Sequence, residues 1–93
     1  MIRSFRDKDT EAIWHRTYVK KLSPDLSRLI YNKLVLINAA ENINDLRVPP
    51  GSRLEKLSGN RTGQYSVRVN GQWRICFTWA NGGAGNVELV DYH

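Results

Sequence analysis

The sequence predicts an α+β domain in which two N-terminal helices pack on an antiparallel sheet of about four to five strands. Two observations support this fold class. Apolar residues recur at spacings of three and four in residues 9–40, whereas runs rich in β-branched and aromatic residues, separated by turn signals, follow residue 63. A chain of 93 residues has little apolar surface to divide between two cores. We therefore expect a single domain spanning residues 1–93.

The first elements are predicted to be short. The opening "MIRSF" alternates apolar and polar residues and predicts a brief strand. The segment "DKDTEAIWHRTYVKK" predicts a short helix capped by Asp9 or Thr10, with Ile13 and Trp14 as its apolar contacts. Basic residues near the end of this segment suit the negative end of a helix dipole.

A longer second helix is marked by its start and by its apolar stripe. Ser23 is the expected N-cap, Pro24 fits the first turn, and Asp25 adds negative charge there. The stripe predicts about five helical turns. Its members are Leu26, Leu29, Ile30, Leu34 (or Lys33), Ile37 and Ala40.

The remaining chain reads as a loop followed by a sheet. Prolines, glycines and asparagines interrupt residues 41–63, where we expect only a brief extended piece around residues 53–57. The runs "QYSVRV", "QWRICFTW" and "NVELVDYH" predict three strands, and Asn70-Gly71 predicts the first turn between them.

The side-chain pattern predicts the register of the first hairpin. One residue more than a two-residue loop pairs Val67 with Ile75 and makes one face of the hairpin wholly apolar. Arg68 then lies opposite Arg74 on the other face. Like charges in this position are destabilising. Either both arginines are solvated or paired with acids of the last strand, or they form a phosphate-binding site.

Composition limits the possible functions. The sequence lacks an apolar run of about 18 residues and a signal-peptide pattern, so we expect a soluble cytoplasmic protein. Cys76 is the only cysteine, which excludes an intramolecular disulfide and a thiolate metal cluster. No acidic cluster or His/Cys spacing is typical of a metal site, and we expect no cofactor.

Positive charge is concentrated in one part of the chain and predicts an anionic partner. The formal net charge is +5, and residues 53–74 carry five cations and a single acid, Glu55. Nucleic acid is the most frequent partner of such a domain.

The stretch "RLEKLSGNRTGQYSVRVNGQWRICFTW", followed by "VELVDYH", resembles the RelE/ParE superfamily of bacterial toxins, specifically the HigB type of plasmid maintenance killer proteins, which includes GraT. "MIRSF" and "DLRVPPG" also match, so the resemblance covers nearly the whole chain. It implies a RelE-like compact fold and ribosome-dependent, metal-independent cleavage of mRNA. It also implies a HigA-type helix-turn-helix antitoxin, through which the toxin–antitoxin complex binds its own operator DNA.

The resemblance also implies a catalytic set. Arg74 corresponds to the arginine of the "QWR" stretch, and Asp91, Tyr92 and His93 correspond to the terminal "DYH". Arg74 is expected to stabilise charge in the transition state. His93 is expected to act as acid or base, because its unperturbed pKa of about 6.5 lies near working pH. Tyr92 either stacks on a base or fills the sheet surface, and Asp91 orients its neighbours.

A second group of residues is expected to contact RNA. It comprises Arg68, Arg61, Lys56, Arg53 and Asn60. Some HigB proteins carry a catalytic lysine where this chain has Ser58, which leaves open whether Lys56 compensates. Two alternatives also stay open from sequence: a non-cleaving ParE-like toxin that poisons DNA gyrase, and a basic RNA-binding module without catalysis.

Overall fold

The computed structural model describes residues 1–91, and it contains two α-helices and a four-stranded antiparallel sheet. The helices are α1 (Lys8–Trp14) and α2 (Pro24–Ala39), and the strands are β1 (Glu55–Lys56), β2 (Gln64–Arg68), β3 (Trp73–Ala80) and β4 (Gly83–Asp91). The strands lie in sequence order, β1-β2-β3-β4. This architecture confirms the predicted α+β class. None of the described helices is long and apolar enough to cross a membrane.

Helix α1 begins and ends differently from the prediction. Its N-cap is Asp7, whose carboxylate accepts a hydrogen bond from the Thr10 backbone N–H at 3.0 Å, so the prediction of Asp9 or Thr10 was wrong. The helix ends at Trp14 with no basic residue in its last turn. It stops there because Arg16 adopts a left-handed φ of 63° in a Schellman-type turn. The expected interaction of basic residues with the helix dipole is therefore absent.

Helix α2 confirms most of its predicted features. The Ser23 hydroxyl accepts the Leu26 N–H at 3.1 Å, and Pro24 occupies the first turn. Ile30, Leu34 and Ile37 are fully buried. Leu29, predicted to belong to the stripe, is 42% exposed, because each residue turns the helix by about 100° and carries Leu29 away from the sheet.

The predicted hairpin register is confirmed. Tyr65 lies opposite Phe77, Val67 opposite Ile75, and Arg68 opposite Arg74. The turn contains three residues, 70–72, and the Asn70 side chain accepts the N–H groups of Gln72 and Trp73 at 2.8 and 2.9 Å. The extended piece predicted around residues 53–57 is β1, which pairs with β2.

The N-terminal segment extends the sheet beyond β4. Instead of a regular strand, it forms two isolated parallel bridges, Ile2 to Ala84 and Phe5 to Val87. Gly83 leaves room for the Arg3 side chain, which would have to move if residue 83 carried a Cβ. The N-terminal segment thus lies beside the last described strand.

The core lies between α1 and α2 and one face of the sheet. Phe77 is fully buried at its centre, with the rings of Tyr65 and Trp79 each 6.4 Å away between centroids. The other face of the sheet is polar in sequence, and it carries the candidate site.

Candidate functional site

The centre of the polar face of the sheet is buried rather than solvated. Ser66 of β2 and Cys76 of β3 lie opposite each other and are both fully buried. Arg74, also on this face, is only 7% exposed. The prediction of an arginine pair away from the core was therefore right in register, but Arg74 lies in the interior of this face. Glu88 of β4 lies opposite Cys76 and belongs to the same face.

Hydrogen bonds from Nε and Nη2 to oxygen atoms hold the Arg74 side chain in place. Its Nε donates to the Ser66 hydroxyl at 2.8 Å. Its Nη2 donates to the Arg53 backbone carbonyl at 2.7 Å and to the Ser66 carbonyl at 3.4 Å. The Glu55 carboxylate adds an ion pair at 3.8 Å. These contacts were not predictable from the sequence, since they depend on how the segment before β1 folds back onto the sheet.

The carbonyl that binds Arg74 comes from a residue with unusual backbone geometry. Arg53 follows the 3₁₀ turn Pro50–Ser52 and adopts a left-handed conformation, with φ 45° and ψ 63°. Its side chain is exposed. Lys33 of α2 anchors the same turn, because its Nζ donates to the buried Ser52 hydroxyl at 2.7 Å.

Lys33 brings a further cation to this region. Burial lowers the pKa of Lys33, and the charge of nearby Arg68 lowers it further. Lys33 was not among the predicted site residues, because it sits beside the apolar stripe of α2. A lysine next to such a stripe was the only available signal.

Arg61 reaches across the polar face from the 3₁₀ turn Gly59–Arg61. Its Nη1 donates to the Gln64 side chain at 3.0 Å and to the Glu88 carboxylate at 3.2 Å. The same Glu88 oxygen accepts from Arg6 Nη1 at 3.4 Å. Arg61 was predicted to be an RNA contact on a glycine-bounded loop, and the structure shows it half-buried and paired.

Cys76 lies beneath these charges and has an altered acidity. Burial raises the pKa of its thiol, an effect that the positive charge of Arg61 partly offsets. Since the thiolate is the reactive form, this environment fits the structural role inferred from sequence.

The other predicted site residues are distributed around this face. Arg68 is half-buried opposite Arg74, whereas Lys56 and Asn60 are exposed on β1 and on the turn that follows it. Asp91 is paired with Trp73, so strand alternation assigns it to the opposite face from Arg74. Its carboxylate accepts from the Gln72 side chain at 3.3 Å. Tyr92 and His93 lie outside the described residues.

Metal-binding groups do not cluster in the part of the chain that the structure describes. Residues 1–91 contain no set of three or more His, Cys, Asp and Glu side chains placed to hold a metal ion.

Solved structures similar to this fold come from toxin–antitoxin systems. The YoeB–YefM complex from Staphylococcus aureus matches with a TM-score of 0.65 at 20% identity, over 100% of this chain and 98% of that chain. The YoeB dimer from the same organism matches with a TM-score of 0.60 at 20% identity, over 99% and 97% of the two chains. At this identity the likeness shows the fold, and it confirms the predicted RelE-like architecture.

Sequence relatives define the family. The toxin HigB-1 of Vibrio cholerae is 39% identical over 90 residues, covering 96% of this chain and 95% of the relative. The endoribonuclease HigB of Proteus vulgaris is 32% identical over 94 residues, covering 100% of both. The family model described as "RelE-like toxin of type II toxin-antitoxin system HigB" matches residues 3–93. The chain therefore belongs to the HigB-like family of RelE-fold toxins of type II toxin–antitoxin systems.

Proposed function

We propose that this toxin is an endoribonuclease that cleaves mRNA on the ribosome and thereby inhibits translation and growth. The observation that carries the proposal is the pair of cations on the polar face, where Arg68 lies opposite Arg74. Lys33 lies nearby, and its pKa is lowered by burial and further by the charge of Arg68. Grouped cations repel one another, and an RNA phosphate relieves that repulsion. The name of the relative in Proteus vulgaris gives independent support.

The proposed chemistry is attack of the RNA 2′-hydroxyl on the adjacent phosphorus. This reaction needs a base for the hydroxyl proton, an acid for the 5′-oxygen, and cations for the charge that builds on the phosphate. We assign the charge-stabilising role to Arg74, with Arg68 beside it. His93 supplies the acid or base, and Tyr92 stacks on a base. Asp91, which strand alternation assigns to the opposite face from Arg74, has no part in this scheme. No step in this scheme requires a metal ion.

The surrounding cations are proposed to guide the RNA. Arg53 and Lys56 present exposed side chains near β1, and Asn60 is exposed on the following turn. Arg61 is the inner member of this group, because Glu88 holds it against the sheet. Lys56 is the candidate replacement for the lysine that some HigB proteins carry at the position of Ser58.

The proposed partners follow from the family. The structural matches include a toxin bound to its antitoxin, which supports an antitoxin partner for this chain. We infer that this antitoxin is of the HigA type, that it acts in the bacterial cytoplasm, and that it carries the complex to operator DNA.

The test is to map mRNA 5′ ends in cells after brief induction of the wild type, Arg74→Ala and His93→Ala. Arg28→Ala is the matched control, since Arg28 is an exposed arginine on α2 paired with Asp25. We expect new codon-phased ends with the wild type and Arg28→Ala only.

If the Arg74→Ala variant still cleaved mRNA, the assignment of Arg74 to the site would be wrong. Growth arrest without new ends, together with a DNA-damage response, would replace the proposal with gyrase poisoning. Salt-dependent RNA binding without cleavage on ribosomes would instead indicate a binding module.

A further inference from the structure

We propose that Ser66 is a positioning residue, whose hydroxyl fixes the Arg74 guanidinium in the orientation used for RNA cleavage. The inference rests on the proposed function and extends it to a residue that contacts no substrate. Its basis is a buried contact between two neighbouring strands.

The sheet register brings the two side chains together. Ser66 lies opposite Cys76, and Arg74 lies opposite Arg68, so Ser66 and Arg74 are diagonal neighbours on one face. Diagonal positions are about 7–8 Å apart between backbones, a distance that a long side chain spans. The Arg74 side chain crosses this gap, and its Nε lies 2.8 Å from the Ser66 hydroxyl oxygen.

Ser66 fixes the plane of the guanidinium. Nε carries a single N–H, so one acceptor defines its direction, and that acceptor is the fully buried Ser66 hydroxyl. Nη2 is fixed at the same time by the Arg53 carbonyl at 2.7 Å. A planar group held at two nitrogens has little freedom to rotate.

The Arg53 carbonyl, which holds Nη2, is itself fixed in place. Ser66 is therefore the residue whose substitution tests the positioning of Arg74. The Arg53 carbonyl follows the turn that Lys33 fastens through Ser52. A backbone carbonyl persists in any side-chain variant. Removing the Ser66 hydroxyl therefore releases one nitrogen of Arg74 while the other support stays in place.

The experiment compares Ser66→Ala, Ser66→Cys and Ser66→Thr in single-turnover cleavage of mRNA on programmed ribosomes. Titrating the toxin separates the maximal rate from the half-saturating concentration. Thr10→Val is the matched control, because it also removes a fully buried hydroxyl that accepts a hydrogen bond, in this case from the backbone N–H of Leu89 at 3.0 Å.

Loss of positioning should lower the rate of the chemical step and leave the affinity for the ribosome nearly unchanged. We expect the maximal rate of Ser66→Ala to fall about 10- to 100-fold, since a displacement of about 1 Å reduces rates to that extent. Half-saturation should change less than about twofold. Ser66→Cys, which preserves shape but is a weak acceptor, should also be slow, and Ser66→Thr should restore the rate. Thr10→Val should match the wild type in rate.

A second readout follows the guanidinium directly. In NMR spectra the Arg74 Nε–H signal, assigned by its disappearance in Arg74→Lys, should exchange slowly with solvent in the wild type. It should exchange rapidly in Ser66→Ala and Ser66→Cys. This measurement needs no catalytic activity.

Each contrary result has a distinct meaning. Wild-type rates in Ser66→Ala or Ser66→Cys, or unchanged protection of the Arg74 signal, would overturn the positioning role. An equal loss of rate in Thr10→Val would assign the effect to stability and overturn it as well. A wild type that leaves ribosome-bound mRNA intact would refute the proposed function, and the exchange rates would still decide whether Ser66 holds Arg74.

Discussion

Glu88 binds two arginines through one carboxylate oxygen, and the structure predicts that the two ion pairs differ in strength. Arg61 lies at 3.2 Å and Arg6 at 3.4 Å from Glu88 Oε2, so distance alone separates them little. Exposure separates them more. The Glu88 side chain is 16% exposed, that of Arg61 34%, and that of Arg6 61%. Water screens the Arg6 pair more strongly.

These exposures give expected coupling energies. An exposed pair contributes about 0.2–1 kcal/mol, whereas hydrogen bonds to charged groups with less solvent reach about 1.5–3 kcal/mol. We expect a coupling of about 1 kcal/mol between Arg61 and Glu88 and of below about 0.5 kcal/mol between Arg6 and Glu88. Glu88→Gln keeps the side-chain shape and removes the charge, which makes it the appropriate change.

Two double-mutant cycles measure these couplings. Glu88→Gln is combined with Arg61→Met in one cycle and with Arg6→Met in the other, and the free energy of unfolding comes from urea titration followed by tryptophan fluorescence. Added salt should weaken the Arg6 coupling more than the Arg61 coupling. Equal couplings, or a larger one for Arg6, would refute the argument from exposure.

Four further predictions concern three individual groups. Arg68→Gln should raise the pKa of Lys33 in an NMR titration, although burial should keep it below 10.5. Because the folded-state pKa is lowered, the charged lysine costs stability below that pKa, and stability should rise as pH increases from there toward 10.5; a flat stability profile over that window would contradict this. Cys76 should resist a thiol reagent until the protein unfolds, as judged by reaction rates in increasing urea. Ser23→Ala should lose about 1 kcal/mol of unfolding free energy, because an N-cap hydrogen bond is removed.

The sheet was predicted from the sequence more accurately than the helix ends were. Alternation along β2 and β3 allowed one register that kept arginines out of the apolar layer, and the structure has that register. Asp7, Asp9 and Thr10 are all acceptable caps by residue type. The choice among them depends on tertiary contacts, since Thr10 is buried where its hydroxyl binds the Leu89 N–H.

The candidate site was predictable only in part. The pairing of Arg68 with Arg74 followed from register, but the burial of Arg74 did not, because it requires the loop before β1 to place the Arg53 carbonyl on the sheet. Lys33 is distant in sequence from both arginines, and no local pattern connects them. The roles of Tyr92 and His93 stay predictions.

The parallel bridges of the N-terminal segment have a consequence for synthesis. Ser4 accepts a hydrogen bond from the backbone of Asn86, a residue 82 positions later. Ile2 and Phe5 form their bridges with the same strand, β4. During translation these first residues have no sheet partner until β4 has left the ribosome, since contacts so distant in sequence form last. A nascent toxin therefore lacks its complete sheet while it is being made.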